Sequence, residues 1–113
     1  MPVEAFVTLG DRKKARVGAM RRGFLLLCDS LSDYARAHGG RYIAFGSAAS
    51  GDLRFDSDVD ILVDFPDAMS TSSAWRFAED ECWRLDLTPD VRPVAYCEPP
   101  FVSKALETGT ILA

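Results

Sequence analysis

The chain has 113 residues, 48% of them hydrophobic and 27% charged, with a formal net charge of −4 and a pI near 4.9. That is apolar mass for one core and a single domain over 1–113, and the acidic balance argues against general nucleic-acid binding, which usually needs a basic surface. No apolar run approaches the roughly 18 residues of a membrane span, and residues 1–10 lack the charged-then-apolar pattern of a signal peptide, so no membrane partner and a cytoplasmic location are expected.

Residues 1–10 read as a loose leader or a short turn. Residues 11–38 read as a helix, because Met20, Phe24, Leu27, Leu31 and Tyr34 recur every three or four positions and form one apolar stripe. Asp11 can cap its start, and Gly39-Gly40 supplies a residue able to go left-handed at its end. Gly23 is a weak point inside it, costing about 1 kcal/mol relative to alanine. Six of the thirteen basic residues (Arg12, Lys13, Lys14, Arg16, Arg21 and Arg22) fall within positions 12–22 of this segment; they form either a solvated helix face or a surface for an acidic partner or nucleotide phosphates.

Tyr42, Ile43 and Phe45 favour a strand over 41–45. A small polar loop follows through Gly46-Ser47 and Gly51 to Asp56-Ser57. A second strand is expected over 59–65, ended by Pro66. Ser70-Thr71-Ser72-Ser73 offers N-caps for a second amphipathic helix marked by Trp75, Ala78, Cys82 and Leu85, and Thr88-Pro89 breaks it. Residues 90–97 read as a third strand, and Pro99-Pro100 leads into a short helix over 101–107. The order helix, strand, strand, helix, strand, helix predicts an α+β fold, a small mixed sheet flanked by helices. The three cysteines, Cys28, Cys82 and Cys97, are widely spaced, and His38 is the lone histidine. Buried, reduced thiols are expected rather than a zinc site or disulfide framework.

The chemistry gathers around Gly46-Ser47 and Asp58-Val59-Asp60. Glycine lets the backbone come close to a bulky anion, and serine adds a hydroxyl and an amide donor for phosphate oxygens. Alternation along a strand sets Asp58 and Asp60 on one face, with Val59, Ile61, Val63 and Phe65 on the other. Two carboxylates side by side are costly without a cation between them, and such a pair suits Mg²⁺, a hard ion that prefers oxygen and bridges to substrate phosphates. No loop has the ligand spacing of an EF-hand. A third carboxylate would complete a two-metal phosphoryl-transfer site. Asp90, at the start of the third strand, is the leading candidate. Asp86, at the end of the second helix, comes next, and Asp64 shares the face of Asp58 and Asp60 but lies at the far end of the strand.

The stretch from Gly46-Ser47 through ten residues to Asp58-Val59-Asp60, with apolar strands before and after it, resembles the GSx10DxD signature of minimal nucleotidyltransferases of the DNA polymerase β-like superfamily. Asp90-Val91-Arg92-Pro93-Val94 is similar to the strand bearing that family's third aspartate, and the segment from Phe101 to Leu112 resembles its closing helix and apolar tail. The resemblance covers 41–112, which it implies is a catalytic core preceded by an N-terminal helical segment over 1–40.

What it further implies is transfer of a nucleoside monophosphate, with ATP as co-substrate, to a hydroxyl. Gly46 and Ser47 would hold the nucleotide phosphates, Asp58, Asp60 and Asp90 would bind Mg²⁺, and Asp90 would help activate the hydroxyl. Stand-alone members resemble antitoxins paired with a HEPN-type toxin, which some silence by adding AMP to a tyrosine. Such members often carry a basic residue in the loop after Gly-Ser, where this chain has Ala48, Ala49 and Ser50; Arg54 is the nearest cation and Arg41 precedes the strand. Three readings therefore stay open: a protein-modifying enzyme, an antitoxin acting by contact alone, and a small-molecule nucleotidyltransferase of the antibiotic-modifying kind. A homo-oligomer is compatible with each.

Overall fold

A computed structural model describes residues 8–113. Most of the expected leader lies outside the described residues, and its end already belongs to the first helix. Helix α1 (Leu9–His38) is opened by a capping box. Thr8 Oγ1 accepts from the Asp11 amide at 3.0 Å, and the Thr8 amide donates back to the Asp11 carboxylate at 3.3 Å. The cap is therefore Thr8, with Asp11 as its reciprocal partner. Gly39, left-handed at φ 74°, ends the helix as expected.

Strand β1 (Arg41–Phe45) runs into a single short turn of helix, α2 (Gly46–Ser50), where a loop was expected. Strand β2 (Val59–Asp64) and helix α3 (Ala68–Arg84) follow. The cap of α3 is Asp67 rather than a member of the Ser-Thr run. Asp67 Oδ1 accepts from the Ser70 amide at 2.8 Å and Ser70 Oγ accepts from the Asp67 amide at 3.3 Å, so the run forms the first turn instead.

Strand β3 (Pro89–Pro93) is shorter than expected, and residues 94–96 curl into a 3-10 turn. Pro93 has no N–H to continue a ladder, and the Cys97 amide donates back to the Val94 carbonyl at 3.0 Å. Helix α4 (Pro99–Thr108) begins on both prolines, in the first turn where missing N–H groups cost nothing. The apolar tail is a fourth strand, β4 (Thr110–Leu112), which the sequence pattern did not predict. Gly109 makes it possible: a Cβ there would run into the carbonyl oxygens of Ala44 and Ala105, so only glycine lets the chain turn from α4 onto β1.

The sheet order is β3-β2-β1-β4, with β1 antiparallel to both neighbours and β2 parallel to β3. The fold is thus the expected α+β arrangement, a mixed sheet flanked by helices. One face carries the main core, in which Met20, Leu27 and Leu31 of α1 and Ala74, Ala78 and Cys82 of α3 close over Tyr42, Ala44, Val59, Ile61 and Val63. The Tyr42 hydroxyl donates to the Ala74 carbonyl at 2.8 Å and pins α3 to β1. The opposite face holds a smaller cluster, Ile43 and Leu62 under Ala105 of α4. All three cysteines are free; Cys82 is fully buried and the other two are half-buried. Burial pushes the Cys28 thiol up to about 11 and the Cys82 thiol up to about 12, so both stay protonated. No helix among the described residues is long and apolar enough to cross a membrane.

Candidate active site

The parallel pairing of β2 with β3 sets Asp60 directly beside Asp90, as register partners in adjacent strands. Neighbouring strands lie about 4.8 Å apart, so the two carboxyl groups leave the same face of the sheet side by side. Two charges so close cannot both ionise freely. The Asp60 carboxyl is pushed up to about 6, first by partial burial, then by a hydrogen bond and charge repulsion from Asp90, with a smaller push from Asp58; Arg92 pulls the other way.

Gly46 stands against this pair. Its φ of 69° is left-handed, and a Cβ on it would occupy the space of the Asp60 carboxylate. Glycine is required here on two counts: a backbone angle that other residues resist and a close approach that no side chain allows. Ser47 follows in the first turn of α2, which ends at a second left-handed glycine, Gly51 at φ 86°.

The other sequence candidates are placed differently. Asp58 lies one residue before β2, exposed to solvent, and reaches Asp60 through its field rather than by contact. Asp64, at the far end of β2, is bound by Arg41 Nε at 2.7 Å. Asp86 sits at φ 58° after α3, where Arg16 takes its carboxylate at 3.0 Å and its carbonyl at 2.6 Å. Of the three candidates for a third carboxylate, the fold brings Asp90 alone to Asp60. Among the described residues no three carboxylate, imidazole or thiol groups converge tightly enough to enclose an ion.

Three further residues frame the pair. Arg92 lies two positions after Asp90, on the same strand face; its Nε is 3.4 Å from Asp90 Oδ1 and its guanidinium is 5.1 Å from the centroid of Phe101. Phe101, on α4, meets Phe45 edge-to-face at 5.4 Å, and Phe45 immediately precedes Gly46. A cation and an aromatic ledge thus flank the carboxyl pair. Strand alternation from Asp90 could have found Arg92 in the sequence. Phe101 could not be found that way, since only the docking of α4 brings it there.

A family model described as a nucleotidyltransferase domain matches residues 27–112. This chain belongs to that family. No curated protein and no solved structure matches it. The match takes in the Gly46 turn, both strands of the carboxyl pair and the closing helix, while the first half of α1 lies outside it. Membership of the nucleotidyltransferase family gives the chain its general chemistry, nucleotidyl transfer from a nucleotide substrate.

Proposed function

We propose that this nucleotidyltransferase transfers AMP from ATP to a hydroxyl group on a protein partner, and that it serves as the antitoxin of a HEPN-type toxin. The observation that carries the transfer reading is the seating of the Asp60 carboxylate in the space left by the missing side chain of Gly46, with Asp90 in register beside it. A phosphate held by the turn is thereby held against the carboxyl pair.

The donor set suits a hard divalent cation. Asp60 and Asp90 repel each other, a cost that a bound cation relieves, and Mg²⁺ is usually held by one or two carboxylates together with substrate phosphates. Asp58, Asp60 and Asp90 would hold it, and when bound it would offset phosphate charge. The chain's own residues do the rest. Gly46 and Ser47 position the phosphates with backbone and hydroxyl donors. Arg92, held beside Asp90 at 3.4 Å, would supply the cation that the loop lacks. The acceptor oxygen forms a bond to the α-phosphorus as the bond from that phosphorus to the bridging oxygen breaks; pyrophosphate leaves, and the hydroxyl proton passes to the Asp90 carboxylate. Alignment and charge provide most of the rate.

Incubating the protein with MgATP and its partner should add one AMP mass to the partner in intact-mass measurement. No added mass under any metal condition would sink the transfer reading. A second reading, neutralisation by contact alone, is favoured by one observation: the segment after Gly46-Ser47 carries Ala48, Ala49 and Ser50 and no basic residue, with Ala48 buried against the main core. Asp58→Asn combined with Asp60→Asn separates the two. A contact antitoxin still protects cells with this variant, whereas a transferring one does not.

A further inference from the structure

The basic residues of α1 divide by what they face. Arg16 is committed to Asp86. Lys13, Lys14 and Arg21 instead join Arg54, from the loop between α2 and β2, around a groove of about 470 Å³ whose floor is Val17, Leu53 and Phe55. Among the described residues no carboxylate lines it. The Lys13 ammonium lies 4.4 Å from the centre of the Phe55 ring, which is 44% exposed. Arg21 Nη2 reaches the Gly51 carbonyl at 3.5 Å. Beyond Arg21 and Leu53, which line both, the groove runs into a second, more apolar hollow of about 370 Å³ lined by Phe24, Leu25, Ala48 and Ala49. Leu25 is 66% exposed there. From Lys13 to Leu25 the helix extends about 18 Å, three turns or slightly more.

We propose that this groove docks an acidic amphipathic helix of a partner protein. Three turns of helix fit its length, leucine-like side chains fit its apolar floor, and glutamate or aspartate on the flanks meets four cations, with no carboxylate among the described residues lining the groove. Such helix-in-groove recognition uses anchors at every third or fourth position. A nucleic acid would also meet the cations, but the continuous apolar floor and the chain's net charge of −4 favour a protein.

The groove is separate from the carboxyl pair. Val17 and Leu53 pack on the main core, on the sheet face opposite α4, whereas Asp60 lies on the α4 face. Its helical wall, residues 13–25, lies outside the segment that matches the family. The surface holds a partner without obstructing the nucleotide side, and it does so whether or not transfer occurs.

The test is fluorescence anisotropy with three labelled probes: an 18-residue peptide with leucine at helical spacing among glutamate and alanine, a scrambled peptide of the same composition, and a 12-nucleotide oligouridylate. The ordered peptide should bind saturably, at least tenfold more tightly than either of the others. Lys13→Glu with Lys14→Glu should weaken that binding at least tenfold, with ATP affinity unchanged and the helical circular dichroism retained. Phe55→Ser, which changes no charge, should weaken it severalfold. Equal binding of the ordered and scrambled peptides, tighter binding of the oligonucleotide, indifference to charge reversal, or loss of ATP affinity in the lysine variant would each overturn the proposal.

Discussion

Val59, Ile61 and Val63 leave β2 on one side, Asp60, Leu62 and Asp64 on the other, and the two faces they build differ in depth. The first is roofed by two long helices and carries no buried charge among the described residues. The second has one short helix whose Ala105 closes over Ile43 and Leu62, and at its end a carboxyl pair that repels itself. The stability of the fold resides mainly on the first face. That frees the second to hold an arrangement that would be unfavourable by itself, as functional sites commonly do.

Truncating one residue from each face tests this contrast. Ile61→Ala should cost toward the upper end of the ~2–5 kcal/mol seen for such changes, because rigid neighbours on every side leave the cavity open. Leu62→Ala, equally buried, should fall toward the lower end, since α4 alone covers it and can settle inward. Chemical denaturation of both variants measures the difference, and equal losses would remove the contrast. Gly46→Ala comes next. The left-handed angle and the collision with Asp60 should together cost about 1–3 kcal/mol and remove most nucleotide binding, measured by denaturation and calorimetric titration.

The carboxyl pair itself predicts a pH signature. An unfolded aspartate titrates near ~3.9, whereas Asp60 in the folded protein titrates at about 6. Between these values the folded chain keeps a proton that the unfolded chain has released. Asp60 therefore favours the folded state less and less as pH rises from about 4 to 6, and its effect is constant above that. Asp67 and Glu81, whose carboxyls are held low by Ser70 and Arg84 respectively, contribute the opposite slope at lower pH, losing stability as pH falls. Subtracting the stability curve of Asp60→Asn from that of the unaltered protein isolates the Asp60 component, which should decline through that window; a flat difference would mean that folding does not raise the Asp60 carboxyl. Arg41→Ala should have the smallest effect. Its ion pair with Asp64 lies on the same face at the other end of β2, is partly exposed, and should be worth at most ~1 kcal/mol, with no change in transfer rate.

Much of this was legible in the sequence, because strand alternation is strict. Asp60 opposite Ile61 and the burial of Val59 and Val63 follow from period-two counting, whereas Asp90 was the leading of three candidates until the parallel register of β2 and β3 set it beside Asp60. What stayed hidden depended on close approach between distant segments. A tail of three residues became β4 because Gly109 fits between two carbonyl oxygens, which no hydropathy pattern records. Leu62 shares the strand face of Asp60 and Asp64, yet it is buried because α4 folds over it. The short helix after Gly46 needed two left-handed glycines, read beforehand as loop residues. Arg92 was within reach of the same alternation rule, but its aromatic partner Phe101 was not.

The rims of the sheet carry one more consequence. β3 begins and ends in proline and β4 is three residues long, so neither edge offers a run of free backbone donors and acceptors to a passing strand. Proteins with open rims can polymerise by annealing one sheet to the next. This one is blunted on both sides, which steers any assembly toward side-chain contacts between helices, the kind that can be made and unmade without rebuilding the fold.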